Sequence, residues 1–289
     1  MCSRPPERAD RYEVDWLWRG VPVNCCGEDR KHSDLMPTTL EVLFAPAEVA
    51  LLPERDLRQS VCIVFDILRA TSSMVTALGN GATAIVPVAE IPEALDLRKR
   101  QPDILLAGER EGVRIEAHLT GGVNFDLGNS PREFTVARVG GRTIAMTTTN
   151  GTRALRACAA ASAVLLGSFL NLRATAECIQ QQQPPHLLLV CSGTYDQAAY
   201  EDALGAGALC DMLWPQYGGG AVADSAHIAR QLFRLEQSDL LGAVARSRNG
   251  RRLATRPDLR DDVLFCVQRD LFSLVAELRQ DGLVRAVKP

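Results

Sequence analysis

Six short apolar runs recur between Val61 and Cys191 and are separated by stretches long enough for helices. Each run has five or six residues, the length of a buried strand, and lacks regular alternation with polar side chains. Such strands are covered on both faces, as in a largely parallel sheet. The predicted strands are VCIVF (61–65), TAIVPV (83–88), DILLA (103–107), TIAMT (143–147), AVLLG (163–167) and LLLVC (187–191).

Amphipathic or alanine-rich stretches lie between these runs and predict helices that cover the sheet. The clearest are PEALDLRKR (92–100), TRALRACAAA (152–161) and LRATAECIQQQ (172–182). Beyond residue 195 the pattern is mainly helical, so we expect any further strands there to be short. The prediction is an α/β fold with three layers, α/β/α, around a largely parallel or mixed central sheet.

Two segments of the second half look like connections. WPQYGGGA (214–221) and SRNGRRLATR (247–256) are interpreted as turns or solvated loops, because glycine and charge runs usually occupy such places. A functional basic patch at 246–256 is the alternative.

The length of 289 residues and the 46% hydrophobic content allow one large domain or two modest ones. We predict a single α/β domain over residues 36–289. Residues 1–35 are rich in Arg, Pro, Cys and acidic residues and lack periodicity. They are predicted to form an N-terminal extension that lies on the surface or is disordered.

The net charge and the first residues of the sequence restrict the expected binding partners and cellular location. The formal net charge is -3, from 32 basic and 35 acidic residues that are well mixed, which argues against nucleic acid or a membrane surface as a partner. The start has no apolar signal core, and no apolar run reaches membrane-spanning length. We therefore expect a cytoplasmic protein, and a homo-oligomer is compatible with the sequence.

The nine cysteines do not form a recognisable metal or disulfide pattern. Cys62 and Cys191 lie inside apolar runs, and Cys25 and Cys26 are adjacent rather than spaced as a metal-binding pair. We interpret them as structural thiols, with a zinc or redox site as the alternative.

Polar residues follow five of the six runs, where ligands bind in an open α/β sheet. Each group alone is a typical helix N-cap, but five together predict an anion site, because a helix N-terminus also binds anions. The groups are Asp66, Arg69 and Thr71 to Ser73; Gly108 to Arg110; Thr147 to Thr152; Ser168 and Asn171; and Ser192 to Thr194.

TTTNGTRAL (147–155) is the sharpest of these turns. Its hydroxyls, amide and glycine suit a close approach to a phosphate or sulfonate, and the residues concerned are Thr148, Thr149, Asn150, Gly151 and Thr152. It is not a P-loop, because the GxxxxGK[ST] spacing and its lysine are missing.

Two carboxylates and two guanidinium groups follow separate strands. Asp66 and Glu109 are candidate ligands of Mg²⁺, which suits single acids on separate strands better than zinc does. Arg69 would pair with Asp66 or reach a substrate anion, and Arg110 follows Glu109. Scattered carboxylates with arginines therefore predict a small anionic substrate bound with a divalent metal.

Glu201 and Asp202 open a helix after the last apolar run. Adjacent helical residues point about 100° apart, so at most one of the two is expected to face the site.

Several enzyme classes are disfavoured. The four histidines form no HxxxH pair, and no GxSxG elbow is present. Leu68 stands where a haloacid-dehalogenase phosphatase carries its second acid. GAGALC (205–210) is not a dinucleotide fingerprint, because no strand precedes it.

Six motifs in order together resemble the 2-phosphosulfolactate phosphatase family. They are FDILRATSS (65–73), AGEREG (107–112), FDLGNSPREF (125–134), TTTNGTRAL (147–155), LGSFLN (166–171) and CSGT…YEDALGAG (191–207). The resemblance implies a Mg²⁺-dependent phosphatase that converts 2-phospho-3-sulfolactate and water to 3-sulfolactate and phosphate, a step in coenzyme M biosynthesis. A related small phosphorylated acid is the broader form of that expectation.

The resemblance also assigns roles by motif. Asp66, Arg69 and Glu109 are the expected catalytic residues. The metal is expected near Asp66, Glu109, Glu201 and Asp202, and the substrate near Arg110, Thr148 to Thr152, Ser192 and Asn129. Whether Asp66 attacks phosphorus or orients water stays open, and the alternative function is a non-catalytic binding protein for a phosphorylated or sulfonated metabolite.

One departure from the family pattern is a longer connection, GVRIEAHLTGGVNFDLGNSP (112–131), which contains His118. We expect this loop to border the pocket.

Overall fold

The computed structural model describes residues 38–287. The predicted N-terminal extension therefore lies outside the described residues, and the proposed division at residue 35 stays a prediction. The strands are β1 Thr39–Leu43, β2 Ser60–Phe65, β3 Ala84–Pro87, β4 Leu105–Arg110, β5 Val113–Arg114, β6 Thr143–Thr147, β7 Ala163–Gly167, β8 His186–Cys191, β9 Ala221–Val222, β10 Val275–Leu278 and β11 Val284–Val287.

Helices connect and cover these strands. They are α1 Pro46–Val49, α2 Ala70–Gly79, α3 Ile91–Arg100, α4 Ala117–Thr120, α5 Val136–Val139, α6 Gly151–Ala157, α7 Leu172–Gln182, α8 Tyr200–Tyr217, α9 Asp224–Glu236, α10 Leu240–Ala245, α11 Arg248–Ala254 and α12 Asp261–Cys266.

The eleven described strands form one mixed sheet in the order β5-β4-β6-β3-β11-β10-β7-β2-β8-β1-β9. Two parallel blocks make up most of it: β7, β2, β8, β1 and β9 form one, and β4, β6 and β3 form the other. The C-terminal hairpin β10–β11 joins them and pairs antiparallel with both β7 and β3. The α/β class and the sheet flanked by helices are therefore confirmed.

The central strand β2 shows why the apolar runs predicted this sheet. All six of its residues are buried. Val61, Ile63 and Phe65 pack into the core on one face of the sheet. Cys62 and Val64 pack into the core on the other. A strand covered on both faces has no polar alternation, which is why its sequence is a continuous apolar run.

All six predicted strands are present, but β4 extends further than predicted. Glu109 and Arg110 belong to the strand itself, because they pair antiparallel with Arg114 and Val113. A two-residue turn, Glu111 and Gly112, closes this hairpin with φ of 54° and 77°. Positive φ at both central residues is the signature of the turn that matches the twist of paired strands.

The basic segment at 247–256 is mostly a helix, α11, so its interpretation as a loop was wrong. The Ser247 side chain caps this helix by accepting from the Gly250 N–H at 3.0 Å. Leu253 is buried and anchors one face. A single apolar anchor gives too little periodicity to reveal such a short helix in the sequence.

The first part of WPQYGGGA is also helical, because α8 continues to Tyr217. The Tyr217 ring is fully buried and its hydroxyl donates to the Pro184 carbonyl oxygen at 2.9 Å. The turn begins only at Gly218.

Six cysteines fall in the described residues, and all six are free and buried, as predicted for structural thiols. Cys25 and Cys26 lie outside the described residues. Between residues 38 and 287, no helix combines the length and the apolar character needed to cross a membrane.

Candidate active site

A cavity of about 300 Å³ lies where strand ends from the two parallel blocks meet. Loops after β2 and β8 approach it from one block, and β4 and the turn after β6 approach it from the other. Residues of α8 and α11 complete its wall. The lining residues are Asp66, Leu68, Arg69, Glu109, Arg110, Glu111, Gly112, Asn129, Thr148, Thr149, Asn150, Gly193, Thr194, Tyr195, Asp202, Asn249, Arg252, Leu253 and Arg256.

Most of the predicted site residues therefore come together in one place. Four of them do not line the cavity: Gly151, Thr152, Ser192 and Glu201. Gly151, Ser192 and Glu201 each lie next in sequence to a residue that does, whereas Thr152 lies two residues after Asn150. Their contacts differ.

Asp66 is nine-tenths buried at the end of β2. Its Oδ1 accepts from the Ala70 N–H at 3.0 Å, and no described residue donates to Oδ2. Burial raises the pKa of the Asp66 carboxyl to about 7, and the charges of Glu109 and Glu201 add to the increase. The Ala70 N–H and the Arg69 charge oppose it. The positive charge of Arg69 is therefore too small to offset the cost of burying the Asp66 carboxylate.

Gly151 explains how α6 starts so close to that carboxylate. A Cβ at residue 151 would lie 2.7 Å from Asp66 Oδ2 and 2.6 Å from the Ala70 Cβ. Any side chain at residue 151 would therefore displace Asp66 or α2. Gly151 shapes the cavity through this close approach rather than by lining it.

Glu109 is fixed by three hydrogen bonds. Its Oε1 accepts from the N–H and the hydroxyl of Thr149, both at 2.9 Å, and its Oε2 accepts from the Gly112 N–H at 2.6 Å. The carboxylate thus ties the turn after β6 to the hairpin turn after β4. These bonds position Thr149 and use much of the acceptor capacity of Glu109.

Asp202 ties together two other loops. Its Oδ1 accepts from the Ile67 N–H at 2.8 Å and its Oδ2 from the Gly193 N–H at 3.1 Å. Burial, then the charges of Asp66 and Glu201, raise the pKa of the Asp202 carboxyl well above its usual range. Asp202 lines the cavity and Glu201 does not, in accordance with the predicted 100° offset.

Glu201 is almost completely buried, at 1% exposure. Its Oε1 accepts from the Asn249 side chain at 2.6 Å, while its Oε2 has no partner among residues 38–287. The Ser192 hydroxyl and the Asn129 Oδ1 are likewise buried without a described partner. Because buried polar atoms are normally satisfied, the three orphans indicate that a ligand, ion or water completes this region.

Arg69 does not pair with Asp66. Its guanidinium forms an ion pair with Asp262 on α12, at 2.7 Å, and donates to the Gly112 carbonyl oxygen at 2.8 Å. Asp262 is fully buried and also accepts from Ser130 and Arg132, at 2.6 Å and 2.8 Å. The partner lies 193 residues away in the chain, and no local pattern in the sequence indicated it.

Arg110 and the turn after β6 provide further donors. Arg110 donates to the Thr147 hydroxyl at 3.1 Å and lies 3.9 Å from Glu90. The Asn150 side chain makes no capping bond to α6. Thr152 is turned into the helix, where its hydroxyl donates to the Thr148 carbonyl oxygen at 3.0 Å. Thr148, Thr149 and Asn150 are therefore the residues of this turn that face the cavity.

The long connection at 112–131 borders the cavity only at its two ends. Gly112 and Asn129 line the cavity, whereas the His118 side chain is 70% exposed. His118 therefore has no place in the site.

Sequence reasoning assigned no site role to three residues of the 247–256 segment. Asn249 bridges two site elements, because it donates to Glu201 and to the Thr194 hydroxyl at 2.8 Å. Arg252 donates to the Tyr195 hydroxyl at 2.7 Å, and Arg256 lines the same cavity. The signal for them in the sequence was the cluster of basic residues in this segment. The alternative of a functional basic patch at 246–256 covers all three residues.

Whether a metal fits can be judged from these carboxylates. Among the described residues, no group of three or more His, Cys, Asp and Glu side chains is close enough to hold a metal alone. Magnesium, however, usually takes one or two carboxylates and completes its shell with water and substrate phosphate. Asp66 Oδ2 and Glu201 Oε2, which lack described partners, are oxygen donors of that kind.

Comparison with known proteins shows the family. A profile of 2-phosphosulpholactate phosphatase matches residues 47–281. A probable 2-phosphosulfolactate phosphatase from Pseudothermotoga lettingae is 37% identical over 239 residues, covering 82% of this chain and 98% of the relative. Its counterpart from Symbiobacterium thermophilum is 38% identical over 238 residues, covering 82% and 98%. That from Clostridium acetobutylicum is 33% identical over 227 residues, covering 78% and 92%.

The matched region contains every residue that lines the cavity. The resemblance drawn from six motifs is thereby confirmed over most of the chain. This chain belongs to the 2-phosphosulfolactate phosphatase family.

Proposed function

We propose that this chain is a Mg²⁺-dependent phosphatase that hydrolyses 2-phospho-3-sulfolactate, or a related small phosphorylated acid, to 3-sulfolactate and phosphate. The observation that carries the proposal is the group of buried carboxylates beside arginines in one cavity, where burial raises the pKa of Asp66 to about 7. A role in coenzyme M biosynthesis and a cytoplasmic location are parts of the same proposal. They rest on the resemblance and on the sequence pattern.

The proposed metal ligands are Asp66, which lines the cavity, and Glu201, which is buried next to the lining residue Asn249. Their Oδ2 and Oε2 atoms accept no hydrogen bond from described residues, whereas each oxygen of Asp202 accepts one. When bound, Mg²⁺ would neutralise charge on the phosphoryl oxygens and polarise the phosphorus centre. Glu109 and Asp202 would then act by positioning the surrounding loops.

The groups proposed to donate hydrogen bonds to the substrate phosphate are Arg69, Arg110 and the turn of Thr148 to Asn150. Phosphoryl transfer asks a protein mainly to position the groups and to stabilise charge that develops on the equatorial oxygens. Arg69 is suited to this because its ion pair with Asp262 holds the guanidinium in place at the cavity wall. A fixed donor loses little conformational entropy when substrate binds.

In the proposed arrangement of metal and hydrogen-bond donors, the ester bond is cleaved next to Asp66. Either its carboxylate attacks phosphorus and water later releases phosphate, or the carboxylate orients water for direct attack. Both routes break the bond between phosphorus and the lactate oxygen and add one water. Trapping a phosphoenzyme after rapid mixing would distinguish them.

Phosphate release from a panel of small phosphoesters tests the proposed function. We expect turnover of 2-phospho-3-sulfolactate with Mg²⁺ and its loss with a chelator, because the buried carboxylates repel the substrate when no cation is present. Restoring Mg²⁺ should restore activity. Tight binding of 3-sulfolactate without turnover of any ester would instead favour a non-catalytic binding protein, and turnover that is indifferent to the chelator would contradict the metal.

A further inference from the structure

Helix α11 and the turn after it bring Arg252 and Arg256 to the cavity, and neither forms an ion pair with a carboxylate among residues 38–287. Of the other arginines in the lining, Arg69 is paired with Asp262 at 2.7 Å, and Arg110 lies 3.9 Å from Glu90. Arg252 instead donates to a phenol, the Tyr195 hydroxyl, and to the Glu111 carbonyl oxygen. Arg256 also lines the cavity, and its guanidinium has neither a hydrogen bond nor an ion pair among residues 38–287.

These two guanidinium groups are partly withdrawn from water. Both residues are half-buried, and Arg256 also lines a second pocket beside the main cavity, together with Arg69 and Gly112. Glu116, Glu133 and Asp258 line that pocket too, but none of them forms an ion pair with Arg256. A guanidinium removed from water normally finds an oxyanion, and its planar fork matches a carboxylate or a sulfonate well. At the cavity wall, the two guanidinium groups therefore favour the binding of an anion that is not part of the described protein.

The neighbouring backbone fixes where that anion would lie. Arg69 and Arg252 donate to the carbonyl oxygens of Gly112 and Glu111, the two residues of the hairpin turn. A Cβ at Gly112 would lie 3.8 Å from the Arg252 Cζ, so the turn and the guanidinium are in close contact. Two guanidinium groups thus meet at the carbonyl side of this turn, and the Glu109 carboxylate accepts from the Gly112 N–H. Asp66 and Glu201 belong to the loop after β2 and to α8.

We propose that Arg252 and Arg256 form a second anion subsite, which binds an acid group of the substrate other than its phosphate. The proposal rests on the proposed function. The substrate named there carries a sulfonate and a carboxylate besides the phosphate, and either one is an oxyanion that a guanidinium can bind. The subsite makes the enzyme selective for phosphomonoesters that carry a second acid group.

The main test is Arg256→Gln, because this side chain makes no hydrogen bond or ion pair with residues 38–287 whose loss would disturb the fold. The measured quantity is the ratio of kcat/KM for 2-phospho-3-sulfolactate to kcat/KM for p-nitrophenyl phosphate, which has no second acid. We expect the ratio to fall about 10- to 100-fold, the loss typical of a charged hydrogen bond, mainly through KM. Arg251→Gln is the matched control, since Arg251 is exposed on α11 and its side chain bonds only the Arg246 carbonyl oxygen among residues 38–287.

A third substrate, 2-phospholactate, identifies the acid group. It keeps the carboxylate and lacks the sulfonate. If Arg256→Gln lowers kcat/KM for 2-phospholactate relative to p-nitrophenyl phosphate, the subsite binds the carboxylate. If it lowers the ratio only for 2-phospho-3-sulfolactate, the subsite binds the sulfonate. An unchanged ratio for both acids would overturn the subsite.

Arg252→Lys provides a second variant that keeps the positive charge and removes the planar fork. We expect it to lower the same ratio, with an unfolding midpoint close to that of Arg251→Gln. Loss of activity towards all three esters in proportion to lost stability would show a purely structural role for Arg252 and would contradict its part in the subsite.

Calorimetric titration with 3-sulfolactate separates failure of the subsite from failure of the proposed function. If the wild-type protein releases no phosphate from any ester, the proposed function has failed. The subsite still predicts that Arg256→Gln weakens 3-sulfolactate binding about 10- to 100-fold while Arg251→Gln leaves it unchanged. Equal affinity in the wild type and Arg256→Gln, or no binding to the wild type, would overturn it.

Discussion

Asp66→Asn is expected to lower kcat for 2-phospho-3-sulfolactate on the order of 10³-fold or more, as removal of a central catalytic group commonly does. Asn has nearly the same shape but cannot attack phosphorus, and it is a much weaker magnesium ligand. The Asp66 Oδ2 has no described donor to satisfy it, so the substitution breaks no internal hydrogen bond at that atom. Asp96→Asn, on the exposed surface of α3, is the matched control.

The same variant is expected to change how stability depends on pH. Burial raises the pKa of the Asp66 carboxyl from 3.8 to about 7, so ionising it opposes folding. In metal-free protein this contribution lowers the free energy of unfolding as the pH rises from about 4 to about 7 and then stays constant. Asp66→Asn lacks it and should gain stability relative to the wild type over that range.

Denaturant unfolding at several pH values, with a chelator present, measures the difference. A constant difference between Asp66→Asn and the wild type at every pH would contradict the uncompensated burial of this carboxylate. Full phosphatase activity in the variant would exclude Asp66 both as nucleophile and as an essential metal ligand.

Asp262→Asn is expected to lower the free energy of unfolding by about 3–5 kcal/mol, because it leaves a buried charge without its partner. The Arg69 side chain is 4% exposed and Asp262 is fully buried. The same carboxylate accepts from Ser130 and Arg132. We also expect a large loss of kcat/KM, since no other carboxylate among residues 38–287 forms an ion pair that holds Arg69 at the cavity wall.

Asp261→Asn gives a closely matched control for that prediction. Asp261 is the neighbouring residue, but its side chain is 59% exposed and lies 3.7 Å from Arg132. A surface pair of this kind contributes about 1 kcal/mol or less. Adding Arg69→Gln to Asp262→Asn should cost less stability than the two separate losses combined, because the buried charge is then removed. Equal stability of the Asp262 and Asp261 variants would contradict the buried network.

The sequence predicted the part of the site that follows continuous apolar strands. The apolar run at 61–65 predicted β2. Because ligands bind beyond the carboxyl ends of strands in an open α/β sheet, Asp66 and the turn at 148–150 were then predicted to lie at the site. The motif order led to the correct family. These inferences succeeded because a buried parallel strand and the residue after it are both local features of the chain.

Contacts between distant segments were not predictable in the same way. The partner of Arg69 is Asp262 on α12, and Asn249, Arg252 and Arg256 reach the cavity from α11 and the turn after it. No local pattern in the sequence specifies an ion pair between loops that come together only in the folded chain. The hairpin β10–β11 was not predicted either, because its strands have four residues each and lie beyond a long helical region.

The central claim is that phosphate is hydrolysed in the cavity between the two parallel blocks, at a metal held by Asp66 at the cavity wall and by Glu201 behind it. Crystals grown with Mn²⁺ in place of Mg²⁺ and with 3-sulfolactate would test it through the anomalous signal of the metal. We predict a Mn²⁺ peak at bonding distance from Asp66 Oδ2 and Glu201 Oε2, with the ligand in the same cavity. A metal and ligand bound elsewhere, with the cavity occupied only by water, would contradict it.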